Sequence, residues 1–405
     1  MKKVSSPAQR AVISHGEGSQ MDPALSLLTG DSAGELIEAV LDAAGGRPQH
    51  WSAAQVEHQP GTRTTVSYTV RVCWAGGAVT TETLGACSGE LPAGVARLGD
   101  GRTEIGMWRF PFDPELPALP LACDPRELAD LLGGQPARLR VRAYRPRRRA
   151  VVEANLPGGR TVFVKVVRPD RARGLHERHR LAVAAGCPVP DPLGWSERGL
   201  VLLPGLPGRD LRAELLGGRA VLPDPAAIEG VLDALPEVGG RLLPTWGQRA
   251  PYYAEVLAGM APELAGRARA IAAAVRHESP EGPAVPVHGD FYESQLLVAG
   301  CRVSGLLDLD TLGRGERLDD AGCLLAHLSL LARLRPEAAA RIEGFGHALT
   351  TRLARGLDPA ALARRVAAVS LSLATGPHRV REPDRGRKAE RRLALAQRWL
   401  DRGGW

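Results

Sequence analysis

The chain runs to 405 residues, 44% hydrophobic and 24% charged, a composition that supports two or three cored domains and excludes a disulfide-held miniprotein or a largely disordered chain. Its formal net charge of +7 is spread without a concentrated stripe or interleaved aromatics, which argues against nucleic acid as a partner. Cys73, Cys87, Cys123, Cys187, Cys301 and Cys323 follow neither a zinc-ligand spacing nor a secreted framework and read as reduced thiols. No apolar run is long enough for a membrane span or a secretory leader, so no membrane partner and a cytoplasmic location are expected.

Residues 1–30, rich in Ser, Gly and Gln, are expected to form a disordered lead. An N-terminal module follows over 31–107. Its helix opens with Ser32 and Glu35 at capping-box spacing, carries Leu36, Ile37, Val40 and Leu41 on one face, and stops at Gly45-Gly46. Three β-rich runs come next, at about 54–56, 64–73 and 78–84, separated by Pro-Gly and Gly-Gly turns. After a Pro-rich linker, 108–123, the plan recurs over 124–204. Asp124 caps a helix with Pro125 at its first position, and strand-like runs lie at 139–144, 150–155 and 161–167. Pro60 and Pro146 stand at the same offset as Arg63 and Arg149, and each helix ends in Gly-Gly-x-Pro, so 31–107 reads as a degenerate copy of 124–204. From 205 to 405 Ala/Leu/Arg-rich segments have helical periodicity, at about 209–217, 225–237, 247–259, 262–277, 319–333, 336–355, 358–374 and 386–402, broken by one β-like stretch at 285–310.

That stretch holds the densest polar cluster, His288-Gly289-Asp290-Phe291-Tyr292-Glu293-Ser294-Gln295, followed by Leu306-Leu307-Asp308-Leu309-Asp310. The spacing lets a loop and a returning hairpin bring the carboxylates of Asp290 and Asp308 to the amide oxygen of Gln295, a hard donor set that suits Mg²⁺ together with phosphate oxygens. Upstream, Lys165 is a lone charge in the apolar run Val162-Phe163-Val164-Lys165-Val166-Val167, a position that asks for a partner or an open cleft.

His-Gly-Asp followed by Leu-Leu-Asp resembles the aminoglycoside phosphotransferase and choline kinase group, over roughly 135–345. The resemblance implies an α+β, bilobal protein-kinase-like fold, with a β-meander N-lobe at 124–204 and a helical C-lobe at 205–405, preceded here by the extra α/β-meander module. It implies ATP and Mg²⁺ as cofactors and transfer of the γ-phosphoryl group to a hydroxyl of a small molecule. By that resemblance Asp290 and His288 carry catalysis, and Gln295 and Asp308 hold the metal, with Asp310 a second ligand or a hairpin residue. Lys165 then meets the nucleotide phosphates with Glu177 as its helix partner, and the backbone around Leu203 and Gly205 meets adenine. Asp320 opens a helix that steadies the catalytic loop.

Arginines of the 145–149 hairpin, Arg147 foremost, either replace a Gly-rich loop at the triphosphate or form a solvated turn. Gln295 stands where the group has Asn, which is similar to its maltokinase-like branch, and the 31–107 module resembles the extra domain of that branch. Gly289, in place of the Arg of protein kinases, favours small-molecule acceptors. The helices flanking the cleft are not acid-rich, so a sugar, amino sugar or amino alcohol suits as well as a polycationic aminoglycoside. The basic run from Arg379 to Arg392 reads as a solvated helix face rather than an anion site. The rival reading is a kinase-fold protein that binds nucleotide or a partner without transferring phosphate.

Overall fold

The computed structural model describes residues 22–99, 103–218, 221–240, 242–276, 282–353, 355 and 358–404. It opens with α1 (Pro23–Thr29) and α2 (Ser32–Asp42). From residue 22 on this corrects the expected disordered lead: Asp22 caps α1 through the Ala24 and Leu25 N–H groups, and Leu25 and Leu28 are buried. Residues 1–21 lie outside the described residues. Nor does the Ser32 capping box form, because Ser32 is already inside α2 and Asp31 at its cap has helical geometry.

Apolar alternation lays down β1 (Gly46–Gln59), β2 (Arg63–Trp74) and β3 (Val79–Cys87). Val66, Tyr68, Val70 and Val72 of β2 point at period two into a core shared with Ile37 and Leu41 of α2. Two strands that alternation did not reveal, β4 (Ala96–Gly99) and β5 (Glu104–Arg109), complete an antiparallel sheet of order β1-β2-β3-β5-β4. The Pro-rich segment is less of a linker than expected. Trp108 and Arg109 end β5, and α3 (Leu119–Cys123) buries Leu119 and Ala122.

Next comes α4 (Pro125–Leu131), capped by Asp124, whose Oδ1 accepts from the N–H groups of Arg126 at 2.8 Å and Glu127 at 3.1 Å. The second sheet contains β6 (Arg138–Arg145), β7 (Arg149–Asn155) and β8 (Thr161–Val167), then α5 (Pro169–Ala184), β9 (Gly194–Trp195) and β10 (Leu200–Pro204), in the order β6-β7-β8-β10-β9. Both sheets thus follow one order, first-second-third-fifth-fourth, and the second inserts α5 between its third and fourth strands.

The remaining chain is mostly helical: β11 (Arg209–Asp210), α6 (Leu211–Gly217), α7 (Pro225–Asp233), α8 (Trp246–Met260) and α9 (Ala265–Val275) lead to two short hairpins. These use β12 (Ala284–Val287), β13 (Leu296–Ala299), β14 (Arg302–Leu306) and β15 (Gly313–Glu316), with β12 paired to β15 and β13 to β14. Then follow α10 (Arg317–Leu334), α11 (Ala339–Leu353), α12 (Pro359–Ala374), α13 (Gly376–Arg379) and α14 (Arg385–Arg402). Leu324 and Leu328 of α10, Val366 and Val369 of α12, and Leu393 and Trp399 of α14 share the largest core.

A buried ion group sits inside that core. Arg365 of α12 is fully buried and pairs through Nη2 with Glu316 at 2.5 Å and through Nε with Asp319 at 2.9 Å. The two helices meet closely there because residue 322 is Gly, and a Cβ on it would lie 2.6 Å from the Cβ of Arg365. All six cysteines are free thiols, with Cys87, Cys187 and Cys323 buried. Among the described residues no helix is long and apolar enough to cross a membrane.

Candidate active site

β12 delivers the chain to His288-Gly289-Asp290, where the backbone needs a residue without a side chain. Gly289 has φ 80°, and a Cβ there would stand 2.9 Å from the Thr311 carbonyl oxygen. Asp320, fully buried in the first turn of α10, accepts from the His288 N–H at 2.7 Å and the Gly289 N–H at 2.8 Å. Burial pushes the Asp320 carboxyl up, against the pull of His288 and these two backbone bonds. His288 is itself fully buried: Nε2 donates to the Leu307 carbonyl at 2.9 Å, which leaves Nδ1 to accept from the Asp290 N–H at 3.4 Å, the tautomer following from these partners. Its ring therefore braces the loop from behind, and the expectation that His288 shares in catalysis with Asp290 is corrected.

The β13–β14 hairpin returns the chain to this loop. The Leu307 N–H donates to the Gln295 carbonyl at 2.8 Å, which sets residue 295 beside residue 308. Asp308 takes the left-handed conformation at φ 63°, and its carboxylate meets two cations from the second sheet. Lys165 Nζ lies 2.8 Å from Asp308 Oδ1 and 2.5 Å from Asp310 Oδ1. Arg149 Nη1 lies 3.0 Å from Asp308 Oδ1 and 2.5 Å from Asp310 Oδ2. In the β7–β8 register Val151 faces Lys165 and Arg149 faces Val167, so strand alternation puts both cations on one face of the sheet. Burial alone would raise the Asp308 carboxyl, but Lys165 and Arg149 hold it well below the usual carboxylate range.

The Asp308 carboxylate, held low by Lys165 and Arg149, and the Asp310 carboxylate that shares these cations form a hard oxygen set, with residue 295 beside it in the backbone. Among the described residues no group of three or more His, Cys, Asp or Glu is placed to hold a metal ion. A pair of carboxylates is a donor set that fits Mg²⁺, which takes one or two carboxylates and completes its shell with water and phosphate oxygens.

Asp290 faces a cavity of about 380 Å³ together with Asp308 and Asp310. Burial, and then the neighbouring Asp308, push the Asp290 carboxyl up to about 6, against the pull of Arg149, Arg145 and Arg249. The remaining lining is unusually basic, with eight arginines against these three aspartates. Most come from the β6–β7 hairpin and α5, but Arg63 comes from the N-terminal module.

Two of the expected nucleotide contacts, Glu177 and Arg147, are corrected. Glu177 is exposed and does not pair with Lys165, because α5 buries Ala172, Leu175, His179 and Ala182 and so turns residue 177 outward. Its neighbour Arg178 faces the site instead, donating to the Leu312 carbonyl at 3.1 Å. Arg147 is buried in a left-handed turn, φ 62°, with Nε and Nη2 on Glu115 at 2.9 and 2.5 Å, so its guanidinium is already occupied and Arg149 is the hairpin arginine that meets the carboxylates. At the hinge Leu203 is buried with Leu175 and Val201, the Gly205 N–H is taken by the Thr161 carbonyl at 2.8 Å, and neither residue lines the cavity.

With these groups in place, the match to a family model can be weighed: the phosphotransferase enzyme family model (APH) covers residues 142–381, more than half of the chain. The chain belongs to this family. The match contains Lys165, the His288 loop and the hairpin to Asp310, and leaves the N-terminal module outside. Similar solved structures include an aminoglycoside-3'-phosphotransferase of type VIII, 22% identical with a TM-score of 0.41, covering 60% of this chain and 97% of that one. A macrolide 2'-phosphotransferase from Brachybacterium faecium is 21% identical, TM-score 0.38, covering 66% and 97%. A choline/ethanolamine kinase family protein from Mesorhizobium loti is 18% identical, TM-score 0.43, covering 70% and 92%. No curated protein matches the sequence.

Proposed function

We propose that this phosphotransferase moves the γ-phosphoryl group of ATP to a hydroxyl of a small molecule, with Asp290 as the base. The observation that carries the reading is the ring of Lys165, Asp308, Arg149 and Asp310 set beside a carboxylate whose pKa is raised to about 6. Such a pairing of an ionised and a proton-accepting carboxylate is what phosphoryl transfer by positioning and charge neutralisation requires. Asp290 accepts the hydroxyl proton while the acceptor oxygen bonds to the γ-phosphorus and the bridging oxygen leaves with ADP. Lys165 and Arg149 bind phosphate oxygens, and Asp320 and His288 hold the loop in register. Asp308, Asp310 and Gln295 would hold Mg²⁺, which when bound neutralises phosphate charge.

The raised Asp290 pKa has a direct consequence for rate. A base must be ionised to take a proton, so kcat/KM is expected to rise with pH through about 6 and to level off above it. A coupled assay for ADP release, run from pH 5 to 8 with a panel of hydroxyl acceptors, measures both the activity and this limb. A flat profile across that range would remove Asp290 from the base role, and no ADP release with any acceptor would favour a binding protein over an enzyme.

A further inference from the structure

The basic lining of the cavity exceeds what the acidic groups around it can balance. Arg147 and Arg168 share Glu115, Arg171 pairs with Asp170, Arg148 pairs with Glu57 at 2.8 Å, and Arg149 is held by Asp308 and Asp310. Among the described residues Arg63, Arg145 and Arg178 have no carboxylate partner. Arg249, which acts on Asp290 from α8, has none either. Burial and the neighbouring Arg149, Arg379 and Arg148 hold the Arg145 guanidinium below its ordinary pKa, opposed only by Glu57. Half-buried, crowded guanidinium groups are costly unless an anion joins them.

Their placement separates them from the phosphate ring. Arg145 ends β6 and Arg63 begins β2, so two segments bring unpaired arginines to the cavity that Asp290 faces, while Arg379, exposed at the end of α13, lines with Arg145 a separate small cavity. Arg63 and Arg149 hold equivalent places in the two sheets, each at the start of its second strand, and both line this cavity. The N-terminal module is held there by the Arg148–Glu57 pair and by the packing of His58 on Gly259 of α8, where a Cβ would lie 2.9 Å from His58 Nε2. It therefore adds a cation to a site that the matched family region leaves open.

We infer that the acceptor is an acidic hydroxy compound, whose carboxylate or phosphate is bound by Arg63 and Arg145 while its hydroxyl meets Asp290. This deepens the phosphotransferase reading and rests on it. The charge excess disfavours a polycationic acceptor, since apart from Asp290 the carboxylate acting on Arg145, Glu57, is already paired with Arg148.

The test uses the full chain, first titrated with AMP-PNP and Mg²⁺ and then, when loaded, with gluconate, glucose 6-phosphate, glucose and kanamycin. The inference expects at least one acidic probe to bind the loaded protein about tenfold or more tightly than glucose or kanamycin, and Arg63→Gln to weaken that binding about tenfold, as for a lost charge-assisted hydrogen bond. Gluconate against glucose 6-phosphate distinguishes carboxylate from phosphate. The inference is overturned if glucose or kanamycin binds as well as the acidic probes, if neither acidic probe binds, or if they bind only by displacing AMP-PNP, which would give the arginines to the nucleotide. Failure of AMP-PNP itself to bind would instead strike the phosphotransferase reading, with the same probes and Arg63→Gln then applied to the nucleotide-free protein to decide whether the cavity takes acidic ligands.

Discussion

Asp290→Asn is expected to lower the rate of phosphoryl transfer by about 10²–10⁴-fold, the usual contribution of a positioned general base, with nucleotide binding retained. The side chain keeps its shape, and the loop that carries it is held by bonds that do not involve its carboxylate. Asp320 grips the N–H groups of His288 and Gly289, Thr311 Oγ1 donates to the His288 carbonyl at 2.8 Å, and His288 Nε2 donates to Leu307. Loss should therefore appear in kcat, with the KM for ATP little changed, and the acid limb near pH 6 should vanish along with the activity that depends on it. If ADP release in the variant stays within about tenfold of the parent, a lower bound set by the same general-base range, Asp290 is a spectator and the proposed chemistry fails.

A second large effect is expected far from the cavity. Arg365→Met removes the cation shared by Glu316 and Asp319 in the core of the helical lobe. Taking one partner from a buried ion group typically costs about 3–5 kcal/mol, a large part of the roughly 5–15 kcal/mol that holds a domain folded. Burial already pushes the Asp319 carboxyl up to about 6 despite Arg365, and without the guanidinium it rises further. A group whose folded pKa lies above its unfolded one takes up protons on folding, so the deficit of the variant should be largest well above pH 6 and shrink as pH falls towards about 6, the Asp319 value in the parent. Urea midpoints at pH 5 and pH 8 measure this. Equal deficits at both would show that lost packing, not stranded charge, dominates. Because Asp319 also accepts from the Trp246 N–H at 3.1 Å and adjoins Asp320, the variant should lose activity along with stability.

The fold was legible where one physical signal dominated. Eight helices after residue 205 announce themselves by apolar spacing, and α6 through α12 and α14 all form near the expected positions. The repeated turns point to a helix and three strand-like runs occurring twice, whereas each sheet has five strands, in one order. β4 and β5 escaped because they are short, and β4 is largely exposed, which leaves alternation nothing to report. The catalytic loop and its returning hairpin were readable because their residues are close in sequence. Arg149 and Asp308, by contrast, are 159 residues apart, and their meeting depends on how the lobes pack. Glu177 was misplaced for a related reason: α5 is so rich in charge that its buried face rests on two small and two larger residues, Ala172, Leu175, His179 and Ala182, a faint signal among many polar neighbours. The commitment of Arg147 to Glu115 hangs on a left-handed turn and a carboxylate in the Pro-rich segment, neither of which the hairpin sequence discloses. Arg379, read as part of a solvated face, is exposed at the end of α13.

Calorimetric titration with ATP, with and without Mg²⁺, on the parent and on Asp308→Asn tests the central claim most directly. The account predicts Mg²⁺-dependent binding in the parent that collapses in the variant, because the carboxylate at 308 supplies the ionised donor that Lys165 and Arg149 now neutralise. Binding that ignores both Mg²⁺ and the substitution, or no binding at all, would contradict it.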